Sequence, residues 1–223
     1  MSTSPSVIVF DVNETLSDMS PMAQRFTDIG APSHLAQLWF ATLLRDGFGL
    51  AAAGADRPFA DLGVDALRTV LHGVDLDRDQ QAAIDHVMSG FSELTVHPDV
   101  TDGVQSLKES GHRLVTLTNG STKVSEKLFT DAGIRDLFDA LLSVEDAGIW
   151  KPARGAYEYA ARTCGTELSE MLLVAVHPWD IDGAARAGMG TAWIDRTGVP
   201  YPKSLTPPSM QAASLADLAG RLG

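Results

Sequence analysis

Short apolar runs recur along this chain, each closed by a polar turn and most followed by a stretch with helical spacing. They are Val7–Phe10, Arg113–Thr118, Ala140–Ser143, Met171–Val176 and Thr191–Ile194. Runs this brief, apolar at consecutive positions, suit strands buried on both faces. Between them, Val100–Ser110 carries Val100, Val104 and Leu107 at helical spacing and is stopped by Gly111. Ser121–Ala132 follows the Asn119-Gly120 turn and ends at Gly133; Ala153–Thr163 follows Pro152; Ile181–Ala187 ends at Gly188. Glycine past a helix end and proline near its start are the expected punctuation. The rhythm predicts an α/β fold, a Rossmann-like parallel sheet with helices on both faces. Pro200–Pro208 reads as irregular, and Met210–Leu222 as one last short helix.

The first run and the second are separated by an insert of roughly eighty residues, far more than one crossover needs. Met22–Ile29, Ser33–Arg45, Asp65–His72 and Asp79–Phe91 each space apolar residues three and four apart, so the insert reads as helical. It leaves just after Asp11 and returns at Val96-His97-Pro98. The expected organisation is a core of residues 1–15 and 96–223 with a helical cap of residues 16–95, placed as a lid over the carboxyl ends of the strands.

Composition narrows the partners. A chain of 223 residues that is 44% hydrophobic buries a substantial core. A net charge of −12 argues against nucleic acid and against an anionic membrane surface, both of which are bound by clustered Lys and Arg. Cys164 is the only cysteine, so no intrachain disulfide forms and a reducing compartment is expected. The start, Met1 to Ser6, has no basic region and precedes too short an apolar run for a signal peptide, and no apolar run is long enough to span a bilayer. The expectation is a cytoplasmic protein acting on a small molecule, with a homodimer through an apolar face of the insert left open.

Asp11 closes the first buried run, which is how an open α/β sheet presents a nucleophile at a strand end. Asn13 stands where a second carboxylate would be needed for acid–base work or for Mg²⁺. Three more fragments sit at run ends: Thr116-Leu-Thr-Asn-Gly-Ser121, Lys151-Pro152, and His177-Pro-Trp-Asp-Ile-Asp-Gly-Ala184. Together with Asp11-Val-Asn-Glu-Thr15, in this order and spacing and over nearly the whole chain, they resemble the haloacid dehalogenase superfamily. Most members of that superfamily are Mg²⁺-dependent phosphatases with a carboxylate at the position of Asn13 and another at that of Ala175. Both are missing here, and the chain is similar instead to the metal-independent L-2-haloacid dehalogenases. Trp193-Ile-Asp-Arg196 followed by Gly198 also resembles that group.

The resemblance implies a hydrolase that removes halide from a small 2-haloacid through an aspartyl ester, with no metal and no organic cofactor. Asp11 attacks C2; Lys151 keeps Asp11 ionised; Asp180 holds Lys151 and helps to orient water. Thr118 and Asn119 donate to the nucleophile, the substrate carboxylate or the halide. His177 stands where the group more often has asparagine, and its imidazole is placed to activate water. In those dehalogenases an arginine after a tryptophan of the cap grips the substrate; Phe40, after Trp39, replaces it here, and the two are expected to form an apolar wall. Arg45, with Arg25 as a second candidate, is the expected substitute for that cation. The alternatives are a phosphatase or other hydrolase with an altered metal site, and a non-catalytic binding protein on the same fold. Plainer uses also exist for single residues: Asp180 as a helix cap, Lys151 as a surface lysine, and His177 as a structural histidine.

Overall fold

The computed structural model describes residues 5–223. Residues 1–4, which carry most of the segment expected to lack a leader, lie outside the described residues. The five apolar runs become strands β1 (Val7–Phe10), β4 (Arg113–Thr118), β5 (Ala140–Ser143), β6 (Met171–Ala175) and β7 (Gly190–Ile194). With β8 (Met210–Ala212) they form one sheet in the order β5-β4-β1-β6-β7-β8, parallel throughout. β1 lies between two partners far along the chain: Val7 is in register with Arg113 on one side and with Met171 on the other. The order reverses at β1, where strands of one half give way to strands of the other. In open α/β sheets that switch is where a crevice opens at the carboxyl ends of the strands.

Alternate residues of each strand face opposite layers. Ile8, Phe10, Leu114, Leu172 and Val174 pack with α5 (Val100–Glu109), α6 (Thr122–Asp131) and α10 (Leu215–Leu222). Val7, Val9, Val115, Leu117 and Leu173 pack with α8 (Arg154–Cys164) and α9 (Pro178–Ala187) on the other face. That second layer is continuous with the insert, whose helices are α1 (Met22–Thr27), α2 (Leu35–Ala52), α3 (Phe59–Val70) and α4 (Gln80–Phe91). A small antiparallel pair, β2 (Ser17–Asp18) with β3 (Thr95–Val96), ties the outgoing and returning chain at the root of the insert. The one-turn helix α7 (Val144–Ala147) completes the set. Among the described residues, no helix is long and apolar enough to cross a membrane.

Three boundaries differ from the sequence expectation. The expected helix Met210–Leu222 is a strand followed by a helix: Met210 and Ala212 pair with β7, and the Ser214 hydroxyl accepts the Asp217 N–H to start α10. A side-chain cap of this kind fixes a helix start that apolar spacing alone leaves loose. α2 runs on past Arg45 to Ala52 despite Gly47 and Gly49, and α3 starts at Phe59, directly after Pro58, rather than at Asp65.

Candidate active site

Asp11 is the first residue beyond β1, and its backbone N–H still donates to the Val174 carbonyl at 3.0 Å. The ladder therefore fixes where the carboxylate leaves the sheet, at the reversal of strand order. Both oxygens are in use. Oδ1 accepts from the Lys151 ammonium at 2.9 Å, and Oδ2 accepts from the Thr15 hydroxyl at 2.7 Å. Thr15 is locked in turn by the Val176 N–H, which donates to its hydroxyl at 3.1 Å.

Lys151 reaches across from the loop before α8 and donates a second bond to Asp180 Oδ2 at 2.6 Å. Lys151 and Asp180 are 0% exposed and Asp11 is 3% exposed, so two carboxylates share one ammonium in a buried place. Such a group holds together only if every charge is paired and hydrogen-bonded. The remaining Asp180 oxygen, Oδ1, accepts from the Tyr157 hydroxyl of α8 at 2.6 Å. Gly183 makes that contact possible, because a Cβ there would come within 2.6 Å of the Tyr157 hydroxyl.

The environment sets the two carboxylates apart. Burial alone would raise Asp11, but the Lys151 charge, the His177 ring and the bonds from Lys151 and Thr15 outweigh it, and its pKa is lowered. Asp180 is raised, chiefly by burial and also by the Asp11 charge, against the pull of Lys151 and Tyr157. Lys151 would be lowered by burial, yet the two carboxylates raise it, so its ammonium is secure. Burial and Asp180 push the Tyr157 hydroxyl well above its ordinary value, leaving it a donor. Two carboxyl groups driven in opposite directions are a signature of divided chemical roles.

His177 stands at the start of α9, its ring between Phe40 (6.2 Å between centroids) and Trp179 (5.0 Å, near-parallel). Its Nε2 lies 3.1 Å from the Asn13 carbonyl, and 3.6 Å from both Asp11 Oδ2 and Glu14 Oε2. All three are acceptors, so the network assigns a hydrogen to Nε2 and leaves the basic lone pair of the neutral ring on Nδ1. Glu14 has φ +61°, a left-handed conformation costly for a residue with a side chain. His97 from the returning strand holds that turn, donating to the Glu14 carbonyl at 2.9 Å. Burial raises the Glu14 carboxyl, with His177 opposing.

The other expected residues fall into two groups. Thr118 and Asn119 are buried beside the triad, but they serve the scaffold: Thr118 Oγ1 accepts the Gly120 N–H at 2.9 Å, and Asn119 brackets Lys151, accepting its N–H at 3.0 Å and donating to its carbonyl at 3.4 Å. Phe40 faces the site from α2. Arg45 does not. It points outward, 67% exposed, and pairs with its neighbour Asp46 at 2.8 Å. Five residues after Phe40, it is rotated about 140° around the helix and cannot share that face. Arg25 is likewise engaged elsewhere, paired with Glu93 and packed over Gly90. Asp180 is not the cap of α9: His177 occupies that position, and no side-chain cap bond is present.

Thr15, Glu14 and Tyr157 were not singled out from sequence. Thr15 and Glu14 lie inside the first motif, where a hydroxyl and a carboxylate so close to the nucleophile were the available signal. Tyr157 sits on the buried face of α8 among Ala156, Ala160 and Ala161, where a polar-tipped aromatic stands out.

Beside the triad a cleft of about 720 Å³ opens between the insert and the core, lined by Met22, Gln37 and Phe40 on one side and Glu14, His177 and Arg196 on the other. Arg196 is the only lysine or arginine among the described residues lining it. It is already committed, donating to Asp99 Oδ1 at 2.7 Å and to the Thr15 carbonyl at 2.9 Å. The donor set does not suit Mg²⁺. Asn13 and Ala175 offer no carboxylate, and the Lys151 ammonium sits between the two carboxylates that remain. Among the described residues, no three His, Cys, Asp or Glu side chains are grouped to hold a metal ion.

The chain is similar to known proteins over most of its length. The family model for haloacid dehalogenase-like hydrolases matches residues 5–188. An (S)-2-haloacid dehalogenase of Pseudomonas sp. (strain YL) is 31% identical over 212 residues, 93% of this chain and 90% of that protein. Haloacetate dehalogenase H-2 of Moraxella sp. (strain B) is 28% identical over 196 residues, 87% of each chain. Among solved structures, an L-2-haloacid dehalogenase superposes with TM-score 0.91 at 30% identity, covering 99% of both chains. A dehalogenase captured with an intermediate complex also gives TM-score 0.91, at 27% identity over 99% of this chain and 98% of that one.

Proposed function

The chain belongs to the haloacid dehalogenase-like hydrolases, and from that premise we propose that it hydrolyses small 2-haloacids, releasing halide through an ester on Asp11. The observation that carries this is the ionised Asp11 carboxylate, held by Lys151 and Thr15 at a strand end with Asn13, not a second acid, beside it. An ionised carboxylate held at a strand end in this way is placed to attack an electrophilic carbon.

In the first step an Asp11 oxygen forms a bond to C2 from the side opposite the halogen, and the halide departs with the electrons of the carbon–halogen bond. Lys151 keeps Asp11 anionic until then. In the second step water adds to the Asp11 side-chain carbonyl. His177 takes the proton on Nδ1, the ring nitrogen that carries its lone pair, and Glu14, 3.6 Å from Nε2, steadies the resulting imidazolium. The ester then breaks at the carbonyl carbon; the leaving alkoxide regains the proton and departs as a 2-hydroxy acid. Asp180 and Tyr157 keep Lys151 in place through both steps. Phe40 and Trp179 form an apolar wall for the haloalkyl group. With Arg45 facing solvent, Lys151 is the permanent cation within 4.0 Å of Asp11.

The insert, residues 16–95, serves as the cap that closes over this centre. The donor set supports turnover without a metal, and the single cysteine supports a cytoplasmic enzyme. Single turnover with excess enzyme in ¹⁸O-water tests the ester. The product hydroxyl should carry ordinary oxygen from Asp11, and the label should appear in the peptide spanning Val7 to Thr15. Label in the product on the first turnover would make Asp11 a general base and end the ester mechanism. Halide release that persists in EDTA is the companion expectation; strict dependence on Mg²⁺ would instead restore a phosphatase.

A further inference from the structure

Trp150, the residue before Lys151, belongs to the core by sequence position but to the insert by packing. Its indole is 1% exposed and stacks on Phe59 of α3, 5.9 Å between centroids and 9° from parallel. Phe59 stacks on Phe91 at 5.3 Å, Phe91 meets Trp39 edge-on at 6.0 Å, and Trp39 meets Phe26 at 6.2 Å. Trp150 is thus the last ring of an aromatic series running through the middle of the insert. Its N–H donates at 3.0 Å to the carbonyl of Arg57, in the link between α2 and α3. α2 makes room for it with Gly47, where a Cβ would lie 2.4 Å from the indole six-membered ring.

We propose that Trp150 is a positioning residue: seated over Gly47 in the aromatic core of the insert, it sets the backbone from which Lys151 reaches Asp11 and Asp180. On the core side, Asn119 grips the same backbone, accepting the Lys151 N–H at 3.0 Å and donating to its carbonyl at 3.4 Å. Adjacent Cα atoms are a fixed 3.8 Å apart, so a shift of the indole is felt at Lys151. A misplacement of about 1 Å at a reacting group can cost about a hundredfold in rate. The consequence is that the cation is correctly placed only while the insert is seated. This rests on the role given to Lys151.

The discriminating measurement is the pH dependence of the halide burst, whose acid limb reports ionisation of Asp11. Lys151, His177 and Glu14 surround that carboxylate, with Asp180 behind Lys151. Of these only Lys151 adjoins Trp150. Gly47→Ala, which pushes the indole aside, should stay folded by circular dichroism yet lower kcat by about ten- to a hundredfold. It should leave KM for 2-chloropropionate nearly unchanged and move the acid limb up by about one pH unit. Trp150→Phe, which loses the N–H bond but keeps a ring, should shift both in the same direction by a smaller amount. Placed in the Gly47→Ala background, its smaller ring should recover part of the rate. If either single variant folds with a lowered Tm but keeps wild-type kcat and acid limb, Trp150 is packing alone and the proposal fails. If Gly47→Ala does not fold, the Trp150→Phe profile decides by the same criterion. Lys151→Ala, run alongside, separates the two levels: full activity there would overturn the role of Lys151 itself, whereas a dead Lys151→Ala with unaffected Trp150 and Gly47 variants overturns only the coupling.

Discussion

The two walls of this active site are built on opposite plans. The core wall is charged and over-determined: Asp11, Lys151, Asp180, Tyr157 and Thr15 use nearly every donor and acceptor on one another. The insert wall is mixed and uncommitted, with Gln37 among its lining and Phe40 facing His177 beside a cleft of about 720 Å³. Charges that must act in a buried place need fixed partners, and strand ends supply them. A surface that sorts substrates by shape needs only the right face of a helix. The proposed mechanism accordingly asks the core for chemistry and the insert for selectivity.

The largest expected effects test the core wall. Asp11→Asn removes the attacking charge and Lys151→Ala removes its counter-ion, and each should reduce halide release by about a thousandfold or more. Lys151→Ala should also lose about 3–5 kcal/mol of stability, since it leaves two buried carboxylates without a cation. A Lys151→Ala enzyme keeping a tenth of the wild-type rate would mean the core wall is not the catalytic one. Tyr157→Phe comes next. It deprives Asp180 of a buried charge-assisted bond, worth about 1.5–3 kcal/mol, and should slow turnover by about tenfold with little change in KM. A changed KM with an intact kcat would put Tyr157 in contact with substrate instead.

The pH profile follows from the same contacts. Asp11 is lowered below the ordinary aspartate value of about 3.9. The acid limb of the halide burst should accordingly fall below that value, and loss of Lys151 should move it up. The matching stability contribution is fully present above the unfolded aspartate pKa and is lost as the pH falls through the lowered folded one. An acid limb at or above the ordinary value would contradict the pairing. On the insert wall, Phe40→Arg should lower KM for 2-chloropropionate by about tenfold through a new charge-assisted bond to the carboxylate. Arg45→Ala should change nothing beyond about twofold, because its charge faces solvent beside Asp46. A strong rise in KM for Arg45→Ala would show that α2 turns in the working enzyme.

The same contrast explains what could be read from the chain. Asp11, His177 and Asp180 are tied to the end of a strand or the start of a helix, and Lys151 to the loop just before one, and those places are marked by apolar runs, glycines and prolines. Motif order and spacing therefore carried the family resemblance that brought them together. Arg45 failed because nearness in sequence stood in for nearness on a helix face, and 3.6 residues per turn sends it to the far side from Phe40. Tyr157 was missed because its partner, Asp180, lies on another helix and only packing joins them. The strand at Met210 was hidden by its brevity and by a helix following closely behind a serine cap.

The placement of β1 in the middle of the sheet also dictates when this protein becomes an enzyme during its own synthesis. The strand that bears the nucleophile leaves the ribosome first, yet its neighbours start at Arg113 and Met171, and the paired lysine and aspartate are made late as well. Until then the Asp11 carboxylate stays hydrated and pays nothing for burial. Pairings across such long loops close slowly, because chain entropy is lost before contacts repay it. The nascent chain must therefore hold the apolar strand Val7–Phe10 without a partner until Arg113 and beyond are made, and with one edge open until Met171. No activity in any chain ending before Asp180 is what this topology demands.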